Sequence, residues 1–106
     1  MTPRPYEHHR IEWRGMLIEL RYCADSCAGF ASMYGHAMAH LEVETIEPVR
    51  APLPITETGY RSHFAAEPEV SAAGGPVDYL LEALERAADD PDWKLSESAA
   101  RQYSLF

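Results

Sequence analysis

Pro76-Val77-Asp78-Tyr79-Leu80-Leu81-Glu82-Ala83-Leu84-Glu85-Arg86-Ala87-Ala88 decides the fold. Val77, Leu80, Leu81 and Leu84 fall at i, i+3, i+4 and i+7, with Ala88 one turn later, which is the single apolar stripe of an amphipathic helix. Pro76 suits the first helical turn, where its missing N–H is no loss. Asp78 lies near the positive end of the helix dipole, and Glu82 precedes Arg86 by four residues in the favoured order. Asp89-Asp90-Pro91 ends the segment. Such a stripe has to be buried against a second layer.

The second layer is written upstream in a different period. Met16, Ile18, Leu20 and Tyr22 alternate with Leu17, Glu19 and Arg21, the two-residue repeat of a strand with one buried face. Ile11-Glu12-Trp13 lies on the other side of Arg14-Gly15, and Gly15 can supply the positive φ of a tight turn, so residues 11–22 read as a β-hairpin. Cys23 to Gly35 is rich in Ala, Ser, Gly and Cys and reads as a loop with room for one helical turn. In the run from His36 to Ile46, Ala39, Leu41, Val43 and Thr45 point one way and His40, Glu42, Glu44 and Ile46 the other. A helix before Leu41 is an alternative, but the β-branched end favours a third strand. Pro48, Pro52 and Pro54 predict an extended surface segment. Tyr60, Ser62 and Phe64 alternate with Arg61 and His63, a short fourth strand. Residues 65–75 read as a loop ending in Gly74-Gly75. Beyond the main helix, Trp93 and Leu95 give an apolar anchor, and Ser96 could cap a short helix through Tyr103.

The expected fold class is therefore α+β. It is a two-layer domain in which an antiparallel sheet of three to four strands carries one amphipathic helix on one face, with a short C-terminal helix. The connections are too short for parallel crossovers. One hundred and six residues suffice for one domain, 1–106, and bury roughly 60–70% of the unfolded surface. Residues 1–9 lack periodicity and read as a flexible arm. Met1 to Arg10 is polar with two prolines, unlike a secretory signal, and no apolar run approaches the ~20 residues of a membrane helix, so a cytoplasmic protein is expected.

Candidate chemistry is sparse. Cys23-x3-Cys27 followed by His36-x3-His40 supplies two sulfurs and two imidazoles, a weak tetrahedral zinc set. If His36 and His40 lie on a strand, four residues at ~3.3 Å each hold them about 13 Å apart, too far for one metal. The same residues otherwise read as loop thiols and surface imidazoles, so no cofactor is expected. Thr56 to His63 is the densest polar cluster. Within it Arg61 could grip an anion, His63 act as a base and Glu57 orient it, or the segment is an ordinary turn and strand.

Charge is the stronger signal. Nine basic residues stand against seventeen acidic ones, a net charge of −8. Phosphate affinity comes from Lys and Arg, so direct binding of nucleic acid is not expected. Glu42, Glu44 and Glu47 form one acidic run. Asp78, Glu82, Glu85, Asp89, Asp90 and Asp92 form another. Brought to one side, they could imitate duplex phosphates and meet a cationic channel, with Tyr60 and Arg61 as anchors. A solvated acidic surface is the plain alternative.

Ala39-His40-Leu41-Glu42-Val43, the segment Ala51 to Phe64 (APLPITETGYRSHF) and Gly74-Gly75-Pro76-Val77 together resemble small accessory proteins of proteobacterial plasmids and integrating mobile elements. The resemblance covers roughly residues 10–93. It carries no activity and no site residues, but it implies a setting in which small acidic proteins act in counter-defence, anti-CRISPR proteins among them. The expected function is a non-enzymatic inhibitor. Its acidic surface would bind a basic, nucleic-acid-handling protein of bacterial defence, a CRISPR effector in the sharpest version. The alternatives are a small ligand-binding or catalytic domain using Arg61, His63 and Glu57, and a homo-oligomeric accessory subunit such as a homodimer.

Overall fold

Alternation along β1 (Glu7–Trp13), β2 (Met16–Cys23), β3 (Met38–Glu47) and β4 (Tyr60–Ala66) builds an open sheet. The strands follow one another in space in the order β1-β2-β3-β4, every pair antiparallel. The computed structural model describes residues 5–103. Among these residues there are also four helices: α1 (Phe30–Tyr34), α2 (Glu67–Ala73), α3 (Pro76–Ala88) and α4 (Pro91–Tyr103).

Register assigns each strand its faces. Ile18, Leu20 and Tyr22 of β2 stand beside Ala39, Leu41, Val43 and Thr45 of β3, all buried. Ile11 and Trp13 of β1 extend the same face. Leu80, Leu84 and Ala88 of α3 and Val70 of α2 close over it, and Leu53 from the proline segment fills the corner. Burying each such leucine contributes roughly 1.5–3 kcal/mol. Thr45 is the one buried polar residue of the described core. Its hydroxyl donates to the Ala51 carbonyl at 2.8 Å and its N–H to Gly59 at 2.9 Å. The two-layer α+β expectation holds, with four strands.

Several boundaries differ from the sequence reading. β1 begins at Glu7, inside the segment expected to be a loose arm; residues 1–4 of that segment lie outside the described residues. Glu7 to Arg10 pair with Tyr22 to Glu19, but most of this edge segment is solvated, so no apolar period marks it. Residues 67–73, expected to be loop, form α2. Pro68 opens it, Glu67 and Glu69 occupy its first turn, and Gly74 closes it in the left-handed conformation. Val70 is its only buried residue, too little for a stripe. α4 starts at Pro91 rather than near Ser96. The Asp90 carboxylate accepts the Asp92 N–H at 2.8 Å, so the residues that end α3 also cap α4. Leu95 is not an anchor, being 71% exposed, whereas Trp93 packs near Trp13 with ring centroids 6.5 Å apart.

Candidate functional site

α2 and α3 close over one face of the sheet, and the opposite face is more open. At its centre Arg21 gathers three carboxylates: Glu19 at 2.9 Å, Glu42 at 3.2 Å and Glu44 at 3.4 Å. Glu42 also accepts the Tyr60 hydroxyl at 3.2 Å, and Arg50 reaches Glu44 at 3.5 Å while lying over the Tyr60 ring. Partial burial opposes the Arg21 charge, yet the hydrogen bonds and fields of these carboxylates hold its pKa above the ordinary value. Burial, with Glu42 beside it, raises the Tyr60 phenol. By register and contact the face sets Glu12, Glu19, Glu42 and Glu44 against Arg10, Arg21 and Arg50, close to balance. Glu42, Glu44 and Tyr60, expected at a partner interface, are committed to one another and to cations of the same chain. Glu47 is exposed at the end of β3.

His40 lies at the other end of this face. Its Nε2 is 2.6 Å from the Ser62 hydroxyl, its Nδ1 2.7 Å from the Tyr6 hydroxyl, and its ring stacks on Phe64 at 4.4 Å. His36 contacts the Ala37 carbonyl; Cys23 is buried and Cys27 exposed. Among the described residues no three His, Cys, Asp or Glu side chains are placed to hold a metal ion, so the Cys23, Cys27, His36 and His40 set is not assembled. His36 precedes β3 whereas His40 is within it, and each ring takes its own partners.

Of the alternative trio, Arg61 and His63 take separate partners. Arg61 donates to the Ile55 carbonyl at 2.9 Å. His63 pairs with the Tyr79 hydroxyl at 3.1 Å, its ring stacked on that of Tyr79. Burial foremost, then the Arg61 charge, lowers the His63 pKa. Glu57 is exposed in the turn before β4.

The negative charge lies in the helical layer. Residues 67–97 hold nine carboxylates and two cations, a net −7 of the chain's −8. Glu82 and Asp89 are exposed on and just beyond α3. Glu85 is engaged: one oxygen accepts the Trp13 indole N–H at 2.8 Å, the other Arg14 at 3.2 Å. Asp90 caps α4. Glu42 and Glu44 thus face away from the layer that bears Glu82, Glu85, Asp89 and Asp90. The expected single acidic flank is corrected to a helical one, because β3 must turn Leu41 and Val43 inward and so turns its glutamates out.

A cleft of about 1180 Å³ opens in this layer where the β1–β2 turn, the proline segment and the α3–α4 corner meet. Met16, Pro48, Pro52, Leu53 and Trp93 give it apolar walls; Glu57, Asp89, Asp90, Asp92 and Glu97 stand around it with Arg14 and Arg86. The Trp93 indole nitrogen is buried and has no hydrogen-bond partner among the described residues. The sequence reading missed this site. Its three segments are far apart in the chain, and each looked complete as a turn, a breaker and a helix stop.

No described helix is long and apolar enough to cross a membrane. Residues 6–93 match the family model described as KlcB third domain. The match spans the whole sheet, α2 and α3, and ends at Trp93. No curated protein and no solved structure matches the chain.

Proposed function

The chain belongs to the KlcB third domain family, and on that footing we propose that it is a non-enzymatic binding domain whose acidic helical face engages a basic partner protein in the cytoplasm. The observation that carries this is the placement of −7 within residues 67–97 while the open sheet face is close to neutral. Charge concentrated on one layer steers a cationic partner to that layer and fixes its orientation. A nucleic-acid-handling protein has such a surface, and an effector of bacterial defence, the CRISPR type included, is the partner class that the resemblance to mobile-element proteins favours. Inhibition would follow from occupying the surface that otherwise takes phosphates.

Capture of partners from a host lysate, followed by mass spectrometry, tests the reading. Wild-type protein should retain a basic protein and release it as salt rises from about 0.1 to about 1 M, which shortens the screening length from about 10 to about 3 Å. Glu82→Lys with Asp89→Lys should weaken capture at least about tenfold, roughly 1.4 kcal/mol. Glu12→Lys on the opposite face should leave it nearly intact. Capture indifferent to both the helical reversal and salt would overturn the proposal.

A further inference from the structure

We infer that the cleft between the β1–β2 turn, the proline segment and the α3–α4 corner is a peptide-binding site, and that its occupant is a segment of the partner in which arginine or lysine neighbours an apolar side chain. The inference rests on the acidic-face reading and names where on that face the contact is made.

Three features converge. The first is size: about 1180 Å³ exceeds the roughly 300–1,000 Å³ typical of small-molecule pockets, so a chain segment fits better than a metabolite. The second is the apolar wall. Pro48, Pro52 and Pro54 are fixed rings that lose little freedom on binding, and Trp93 offers an aromatic surface to a methylene stem or a guanidinium. The third is the charge above that wall. Arg14 is occupied by Glu85 and Glu97, at 3.2 and 3.1 Å. Glu57, Asp89 and Asp92, and with them Arg86, have no ion pair among the described residues and are exposed, so three carboxylates against one guanidinium leave the unspent charge at the cleft negative. An arriving cation is paired there while its apolar neighbour descends onto Met16, Pro52 and Trp93. A purely acidic ligand is repelled, and a purely apolar one leaves the rim uncompensated.

The test uses the full chain and two capped synthetic peptides, one alternating arginine with leucine and one alternating arginine with serine. Trp13 and Trp93 are the only tryptophans, so their indole N–H resonances report separately. The arginine–leucine peptide should bind, move the Trp93 indole signal more than that of Trp13, and bind at least about tenfold tighter than the arginine–serine peptide, the factor that 1.4 kcal/mol supplies. Ala87→Trp and, independently, Ala51→Trp fill the cleft without changing charge. Each should cut affinity at least about tenfold, with unchanged sheet amide signals showing that the fold is intact. Suppose instead that both peptides bind alike, neither filling variant matters, and Glu69→Lys with Glu82→Lys, outside the cleft, weakens both. The cleft assignment then falls while the acidic face stands. Failure of the arginine–leucine peptide to bind overturns the cleft assignment whatever the charge-reversal result. A dimer in light scattering that Ala87→Trp dissolves would give the cleft to a second copy and overturn it as well.

Discussion

The indole Nε1 of Trp13 donates to Glu85 at 2.8 Å, joining the end of β1 to the last turn of α3 across 72 positions of chain. The bond lies at the margin of the core, where Trp13 is 5% exposed and Glu85 faces outward. It ties the layers together at the point where the charge changes hands. Glu85→Ala leaves the Trp13 donor without its partner and frees Arg14 from one of its two carboxylates. The expected cost is about 1–3 kcal/mol in urea denaturation. Glu85→Gln keeps an acceptor for the indole and should cost less than half as much. Equal losses in the two variants would mean that the charge, and not the hydrogen bond, holds the layers.

Much of this scaffold was legible because its pattern is periodic. The 3.6 repeat of Leu80, Leu84 and Ala88 and the two-residue repeat of Leu41, Val43 and Thr45 both report burial directly, and both sets are buried. The parts that were not legible lack a buried face of their own. α2 places only Val70 in the core, and most of β1 up to Arg10 is solvated on both sides. The charge of the candidate site could be counted in the sequence but not located on it. Glu42 and Glu82 are equally acidic on paper, yet one is spent on Arg21 and Tyr60 while the other stands free on a helix. The cleft was invisible for a topological reason: Met16, Pro52 and Trp93 meet only after the sheet has formed.

Arg21 is the keystone of the open face. Removing its guanidinium leaves Glu19, Glu42 and Glu44 close together, with Arg50 reaching only Glu44. Exposed ion pairs contribute about 0–1 kcal/mol, and breaking a buried one costs about 3–5; this half-buried cluster belongs between, at about 1–3 kcal/mol for Arg21→Met. The second-site change Glu42→Gln should restore part of that loss, since it removes one of the three repelling charges. A double-mutant cycle in urea measures the coupling. Strictly additive losses would show that the cluster is geometry without energy.

Gly59 and Gly15 both have positive φ, 75° and 80°, yet they should respond differently to alanine. A Cβ at Gly15 meets nothing within 4 Å, so Gly15→Ala pays only the left-handed backbone penalty of about 1–2 kcal/mol. A Cβ at Gly59 would sit 2.5 Å from the backbone carbon of Arg50, and backbone cannot swing aside as a flexible side chain can. The Gly59 carbonyl also accepts the N–H of buried Thr45, so any retreat strains that bond. Gly59→Ala should therefore cost clearly more than Gly15→Ala, by about 2 kcal/mol or more. Comparing the two urea midpoints checks this, and similar midpoints would mean that the proline segment yields freely.

His63 links stability to pH. Burial between β4 and α3 and the charge of Arg61 lower its pKa, with Glu69 acting the other way and His40 adding to the lowering. The neutral ring can accept the Tyr79 hydroxyl at 3.1 Å through Nε2, and protonation abolishes that acceptor. The folded state therefore takes up its proton at a lower pH than the unfolded chain, whose histidine titrates near 6.5. Above that value both forms are neutral and nothing is lost. As pH falls below it, the unfolded state binds the proton first, and stability declines until the folded ring is also protonated. The slope contributed by this one site cannot exceed about 1.4 kcal/mol per pH unit. His63→Gln keeps a polar side chain near Tyr79 but removes the titration. Its stability should be flatter than that of the wild type between about pH 7 and pH 5.5, with the difference shrinking towards neutral pH. Urea denaturation at several pH values reads this directly, and parallel curves would show that the ring is hydrated in the folded state and carries no linkage.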